Sequence, residues 1–143
     1  MPEDIYHPSI PVVTTFDPPP GWRIHSILGP CWGITVRSRS IGGQFVAGLQ
    51  TLGGGEITMY TELANTSRNE ALVRLEAHAI ALGANMVLAM RFDSSDLMAN
   101  TNEIIAYGTA VVVVPDESVG KADRAVYEDP AQAAAGGAPA ATP

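Results

Sequence analysis

Two runs, "ANMVLAMRFD" at 84–93 and "NEIIAYGTAVVVV" at 102–114, constrain this chain more than any other feature, because both are apolar at consecutive positions. Side chains alternate across a strand, so Val111, Val112, Val113 and Val114 cannot all reach one core. Strands that are apolar on both sides need cover on both sides. The rest of the chain supplies one long helical pattern and one short one, enough for a single face. A large bare apolar face is uncommon on a lone soluble subunit, so the second face is expected to be covered by another copy of the protein.

Length and composition agree with a small self-sufficient domain. A chain of 143 residues can bury enough surface to fold without disulfides, and Cys31 is its only cysteine. The N-terminus "MPEDIYHPSIPVV" carries acids where a secretory signal would carry positive charge, and no apolar run reaches the ~18 residues of a membrane span. A soluble, cytoplasmic protein is expected. The formal charge is −7, and the arginines are scattered rather than gathered in the basic stripe that counterion-release binding needs. No nucleic-acid or membrane partner is expected.

The folded module is expected at 12–114. Residues 1–11 read as a flexible N-terminus. From Pro115 onward the chain is poor in large apolar residues and rich in Ala, Gly and Pro, so 115–143 read as a disordered acidic tail. Within the module, "GWRIHSILGPCWGITVRS" is rich in β-branched and aromatic residues and is interrupted by Gly29-Pro30. It reads as two strands or as one strand with a bulge. "IGGQFVAGLQTL" places Ile41, Phe45, Val46, Leu49 and Leu52 on one face of a short helix.

After Gly53-Gly54-Gly55 comes the longest amphipathic pattern. Tyr60, Ala64, Ala71, Leu75, Ala79 and Leu82 form its apolar stripe, with Arg68, Glu70, Arg74 and Glu76 mostly off it. Gly83 stands where a helix C-cap favours positive φ. The start is open: Ser67-Arg68-Asn69-Glu70 spells a capping box, which would begin the helix at 67. The Ser-rich "SSDLMANT" at 94–101 reads as the turn between the two apolar strands.

Several of these motifs, taken in order, resemble the YbjQ family, a group sometimes labelled heavy-metal-binding: "GWRIHSILGPCWG", "FVAGLQTLGGG", Tyr60 with Arg68 and Ala71, "LGAN" at 82–85 and "YGTAV" at 107–111. The resemblance covers about 12–114. It implies an α/β (α+β) subunit, an antiparallel sheet packed on one long helix plus a short helix, similar to dodecin-type subunits and assembling as a ring, with a pentamer expected. It also implies a helix that starts near Thr58. Gln50 and Thr51 stand where the family often has a charged pair, and the tail has no family counterpart. No specific activity is implied.

The residues that could carry chemistry each have a plainer reading. The three glycines are followed by Glu56 and Ile57, whereas a phosphate loop needs lysine and a hydroxyl, so they read as a corner between helices. His7, His25, His78, Cys31, Asp93 and Asp96 are the candidate metal donors, and none shows zinc-like spacing. Cys31 replaces a usual aliphatic residue of the family and reads as a small buried hydrophobe. His78 reads as a surface or intersubunit hydrogen-bonder. Asp93 and Asp96 could be paired carboxylates, but their Ser-rich setting reads as a turn. Trp22 and Trp32 flank Gly29-Pro30 and read as core or interface packing, or as the lining of a cleft between subunits. No catalytic residue, metal ligand or cofactor is assigned. The sequence reading is a homo-oligomeric structural or binding protein, leaning away from an enzyme, with a metal-binding module and a small-molecule binder or enzyme at subunit clefts as alternatives.

Overall fold

The computed structural model describes residues 6–38, 58–98 and 101–120. The predicted helix at 41–52, the three glycines, residues 1–5 and the tail beyond 120 lie outside the described residues. Among those described, three strands and one helix follow one another as β1 (Trp22–Ser38), α1 (Thr58–Ala81), β2 (Met86–Met98) and β3 (Thr101–Pro115). The strands form one antiparallel sheet in the order β1-β3-β2. This is an α+β fold.

The open question at 21–38 resolves to one strand with irregularities. Its register against β3 shifts between Ile24 and Ser26 and again between Ile27 and Gly29, where Gly29 adopts a φ of 116°. Glycine is the residue that takes such a backbone without strain. The helix begins at Thr58, nine residues before the capping-box serine. Ser67 is buried in the helix interior and its hydroxyl donates to the Leu63 carbonyl at 2.8 Å, so the motif is spent on back-bonding instead of capping.

At the other end Gly83 has a φ of 90°. Its N–H donates to Ile80 O, and Ala84 N–H donates to Ala79 O. These two bonds are the Schellman pattern, and the buried Ala79 and Ala84 supply the accompanying apolar contact. Asn85 then stitches the helix exit to the sheet. Its side-chain amide donates to Val113 O at 2.9 Å and its side-chain carbonyl accepts from Val113 N–H at 2.8 Å, as a strand backbone would.

The predicted turn at 94–101 is corrected. β2 runs through Ser94, Ser95 and Asp96 to Met98, paired with β3 in sequence from Ile104 to Thr101. The partners on β3 here are Ile104, Glu103, Asn102 and Thr101, and the exposed serines and aspartates of β2 are held in the ladder by backbone pairing.

One face of the sheet packs on α1. Cys31, Ala71, Leu75, Ala79, Val87, Ala106 and Ala110 are fully buried there. At Gly33 the contact is between backbones: an added Cβ would lie 2.1 Å from Ala71 O and 2.4 Å from Leu75 N. A glycine is therefore required for the helix to cross β1 this closely. The predicted stripe is right at Ala71, Leu75 and Ala79, while Leu82 is exposed. Glu76, predicted off the stripe, is buried, and its cover comes from the N-terminus.

Candidate functional site

The second face of the sheet has two halves. At one end Met86, Leu88, Val111 and Val113 form a buried layer, with Val13 and Trp22 packed on it. The chain itself covers this half. Toward the other end the described residues give less cover: Trp32 is 46% exposed, Ile34 36%, Val36 52% and Tyr107 43%. The pairings Trp32 with Tyr107 and Ile34 with Ile105 place these side chains side by side on one surface. Their neighbours Cys31, Gly33 and Thr35 point to the helix and are buried. The result is an apolar strip on the open sheet face.

Trp32 also borders the free edge of β1. Its ring meets His78 edge-on, with centroids 4.5 Å apart and planes at 89°. His78 Nδ1 lies 3.2 Å from Trp32 N and 3.3 Å from Trp32 O, accepting from the N–H in one tautomer and donating to the carbonyl in the other. One helical turn earlier, the Arg74 guanidinium donates to Ile34 O. One turn before that, Glu70 pairs with Arg37. Three helix positions spaced by four residues thus lie along the outer edge of β1.

The outer edge of β2 is treated differently. Residues 6–15 form a strap whose part from Pro11 to Thr15 runs beside it, with Val12 bridged in parallel to Val87. Val13 N–H donates to Val87 O, and Val87, Ala89 and Met90 N–H groups donate to Pro11, Thr15 and Val13 carbonyls at 2.8–3.0 Å. Ala89 has a φ of 54° and sits in a register shift between Leu88 and Arg91. This bulge leaves the consecutive N–H groups of Ala89 and Met90 with acceptors on the strap. Arg91 extends the contact by donating to Thr14 O at 2.9 Å, with its guanidinium 5.5 Å from the centre of the Phe16 ring.

The residues weighed as metal donors do not converge. Among the described residues no group of three His, Cys, Asp or Glu could hold an ion. His7 and His25 are exposed on the strap and on β1, and His78 is engaged with Trp32. Cys31 is fully buried, and desolvation raises its thiol pKa, which keeps it protonated and unreactive. Asp93 and Asp96 stand three positions apart on one strand and so project to opposite faces, which ends their reading as paired carboxylates. Asp93 accepts from the Ser94 N–H at 2.8 Å. Among the described residues no helix is long and apolar enough to cross a membrane.

Sequence reasoning missed Glu76 and the edge-covering role of His78 and Arg74. The 70/74/78 spacing was visible, but the strand it would meet was not.

Known proteins share this chain's features. A family model described as "Putative heavy-metal-binding", YbjQ_1, matches residues 11–114. A UPF0145 protein of Picrophilus torridus is 54% identical over 107 residues, covering 75% of this chain and 91% of its own length. One from Methanocella arvoryzae is 49% identical over 116 residues, covering 81% and 92%, and one from Bradyrhizobium sp. is 47% identical over 108 residues, covering 76% and 96%. A crystal structure of a protein with unknown function of the DUF74 family, from Pediococcus pentosaceus, superposes with a TM-score of 0.52 at 11% identity, covering 73% of this chain and 98% of its own. At that identity the likeness concerns the fold. The match over most of the chain, together with relatives at about half identity, means that the chain belongs to the YbjQ (UPF0145) family.

Proposed function

We propose that this protein is a cytoplasmic, self-assembling structural or binding subunit whose copies join through the open sheet face, in a ring of the dodecin-like kind and of pentameric size. The observation that carries the reading is the strip of Trp32, Ile34, Val36 and Tyr107, each more than one-third exposed, with Trp32 beside Tyr107, Ile34 beside Ile105 and Glu103 beside Val36 at its end. Removing apolar area from water contributes about 25 cal/mol per Å², so a contiguous strip of this kind favours association. The ring form and its size rest on the family resemblance. Analytical ultracentrifugation tests the reading: a multiple of the 15.0 kDa chain mass is expected, and a monomer at all concentrations overturns it.

The family description favours a second reading, a metal-binding module. With no donor cluster among the described residues of one subunit, such a site would draw ligands from several copies or from residues outside those described. Elemental analysis of untagged protein purified without chelator decides it, and absence of stoichiometric metal counts against it.

A further inference from the structure

Glu76 is a carboxylate in the middle of a helix, 3% exposed. The ion pair found among the described residues is Arg37 with Glu70, and it does not involve Glu76. What surrounds Glu76 is the strap. Tyr6 donates its hydroxyl to one carboxylate oxygen. The other oxygen receives the Ser9 hydroxyl, the Ser9 N–H at 2.6 Å and the Ile10 N–H at 3.2 Å. All of these donors lie 66 to 70 residues away in sequence, on one short segment. A buried charge is tolerated when it is well hydrogen-bonded and is costly when it is not.

We propose that Glu76 is the catch of a releasable strap, and that its grip on Tyr6, Ser9 and Ile10 determines whether the outer edge of β2 is closed or open. The strap has two parts with different tasks. Residues 6–10 are bound to the helix through Glu76, and residues 11–15 are bound to β2 through backbone hydrogen bonds and the bridge at Val12. The two parts are continuous, so loss of the first frees the end of the second. Release would present the Val87, Ala89 and Met90 N–H groups and the Val87 carbonyl to solvent. It would also lift Val13 from the layer of Met86, Leu88, Val111 and Val113. The catch thus links a helix side chain to the accessibility of a sheet edge.

Amide hydrogen exchange of the full chain reads the catch directly, because those three amides report on the strap. Glu76→Leu leaves the position helix-compatible and suited to burial while removing the acceptor. The expected result is exchange faster by roughly tenfold or more at Val87, Ala89 and Met90, with Ala106 and Ala110 in the central strand unchanged. Unchanged exchange at the three edge amides overturns the proposal. If Glu76→Leu unfolds the chain, the double variant Tyr6→Phe and Ser9→Ala decides instead, since it touches no residue of the sheet. Faster edge exchange in that variant supports the catch, and wild-type exchange overturns it.

Discussion

The two outer edges of the sheet meet the same problem with different materials. An unpaired strand edge is a template for pairing with another chain and has to be covered. On β1 the cover is made of side chains, with His78 over the Trp32 backbone, Arg74 on Ile34 O and Glu70 holding Arg37. On β2 it is made of backbone, the strap from Pro11 to Thr15. The position of α1 accounts for the difference. The helix crosses β1 in backbone contact at Gly33, so residues one turn apart hang over that edge. β2 lies on the far side of β3, beyond their reach. Side-chain cover comes away one residue at a time, whereas backbone cover leaves as a unit and needs a fastening, which Glu76 supplies.

The largest effect expected comes from removing the close crossing itself. Gly33→Val places a branched side chain where a Cβ alone would lie 2.1 Å from Ala71 O, so helix and strand must separate. Overpacking against backbone of this kind should cost about 3 to 5 kcal/mol. Because separation also withdraws His78 and Arg74 from β1, the edge should open together with the core. Chemical denaturation measures the loss, and near-wild-type stability would mean that the helix does not touch β1 at Gly33.

The β2 edge should respond to a smaller backbone change. Val13→Pro deletes the N–H that donates to Val87 O and replaces the side chain packed on the layer of Met86, Leu88, Val111 and Val113. A loss of about 2 to 3 kcal/mol is expected, with concentration-dependent growth in particle mass by light scattering as the edge becomes available. Stability lost without added association would show that the strap serves the core and does not guard the edge.

On β1 the comparison predicts graded loss. Arg74→Ala and His78→Ala should each cost about 1 kcal/mol in thermal or denaturant unfolding, and the two should add closely because they cover different backbone groups. A double variant that behaves like either single one would show that the edge opens as a unit, as on β2, and the contrast between the edges would be lost.

These differences track what was legible in the sequence. Gly83 announced the helix end because a positive φ is a local requirement. Ala71, Leu75 and Ala79 announced the buried stripe by spacing alone, and the two-sided apolar β3 announced that cover was needed on both faces. Ser67 left the helix start open, since a serine followed by glutamate three residues later caps a helix or back-bonds inside one; the start near Thr58 came from the resemblance and is where the helix begins. Asp93 and Asp96 misled because turn composition was weighed without the pairing partners that hold them in a strand. Glu76 was opaque for a stricter reason. Its partners are 66 or more residues distant, and no local pattern records that a polar N-terminal segment will fold back to satisfy one buried carboxylate.

The smallest effect sharpens the contrast most finely, because it concerns charge. Arg37 and Glu70 pair with side chains that remain 36% and 41% exposed, so solvent screens their attraction. A double-mutant cycle with Arg37→Leu and Glu70→Gln should give a coupling of about 0.5 kcal/mol, fading as salt approaches roughly 1 M, where the Debye length falls to about 3 Å. The β2 edge carries little such dependence in its cover, since apart from Arg91 on Thr14 O the strap and strand meet through neutral N–H and C=O groups. Hydrogen exchange in low and high salt should therefore leave Val87, Ala89 and Met90 unchanged while the salt-sensitive coupling on β1 disappears. Equal salt sensitivity at both edges would mean that the strap is held by long-range charge in addition to its hydrogen bonds, and that the division between side-chain and backbone cover is not the one that governs how the two edges open.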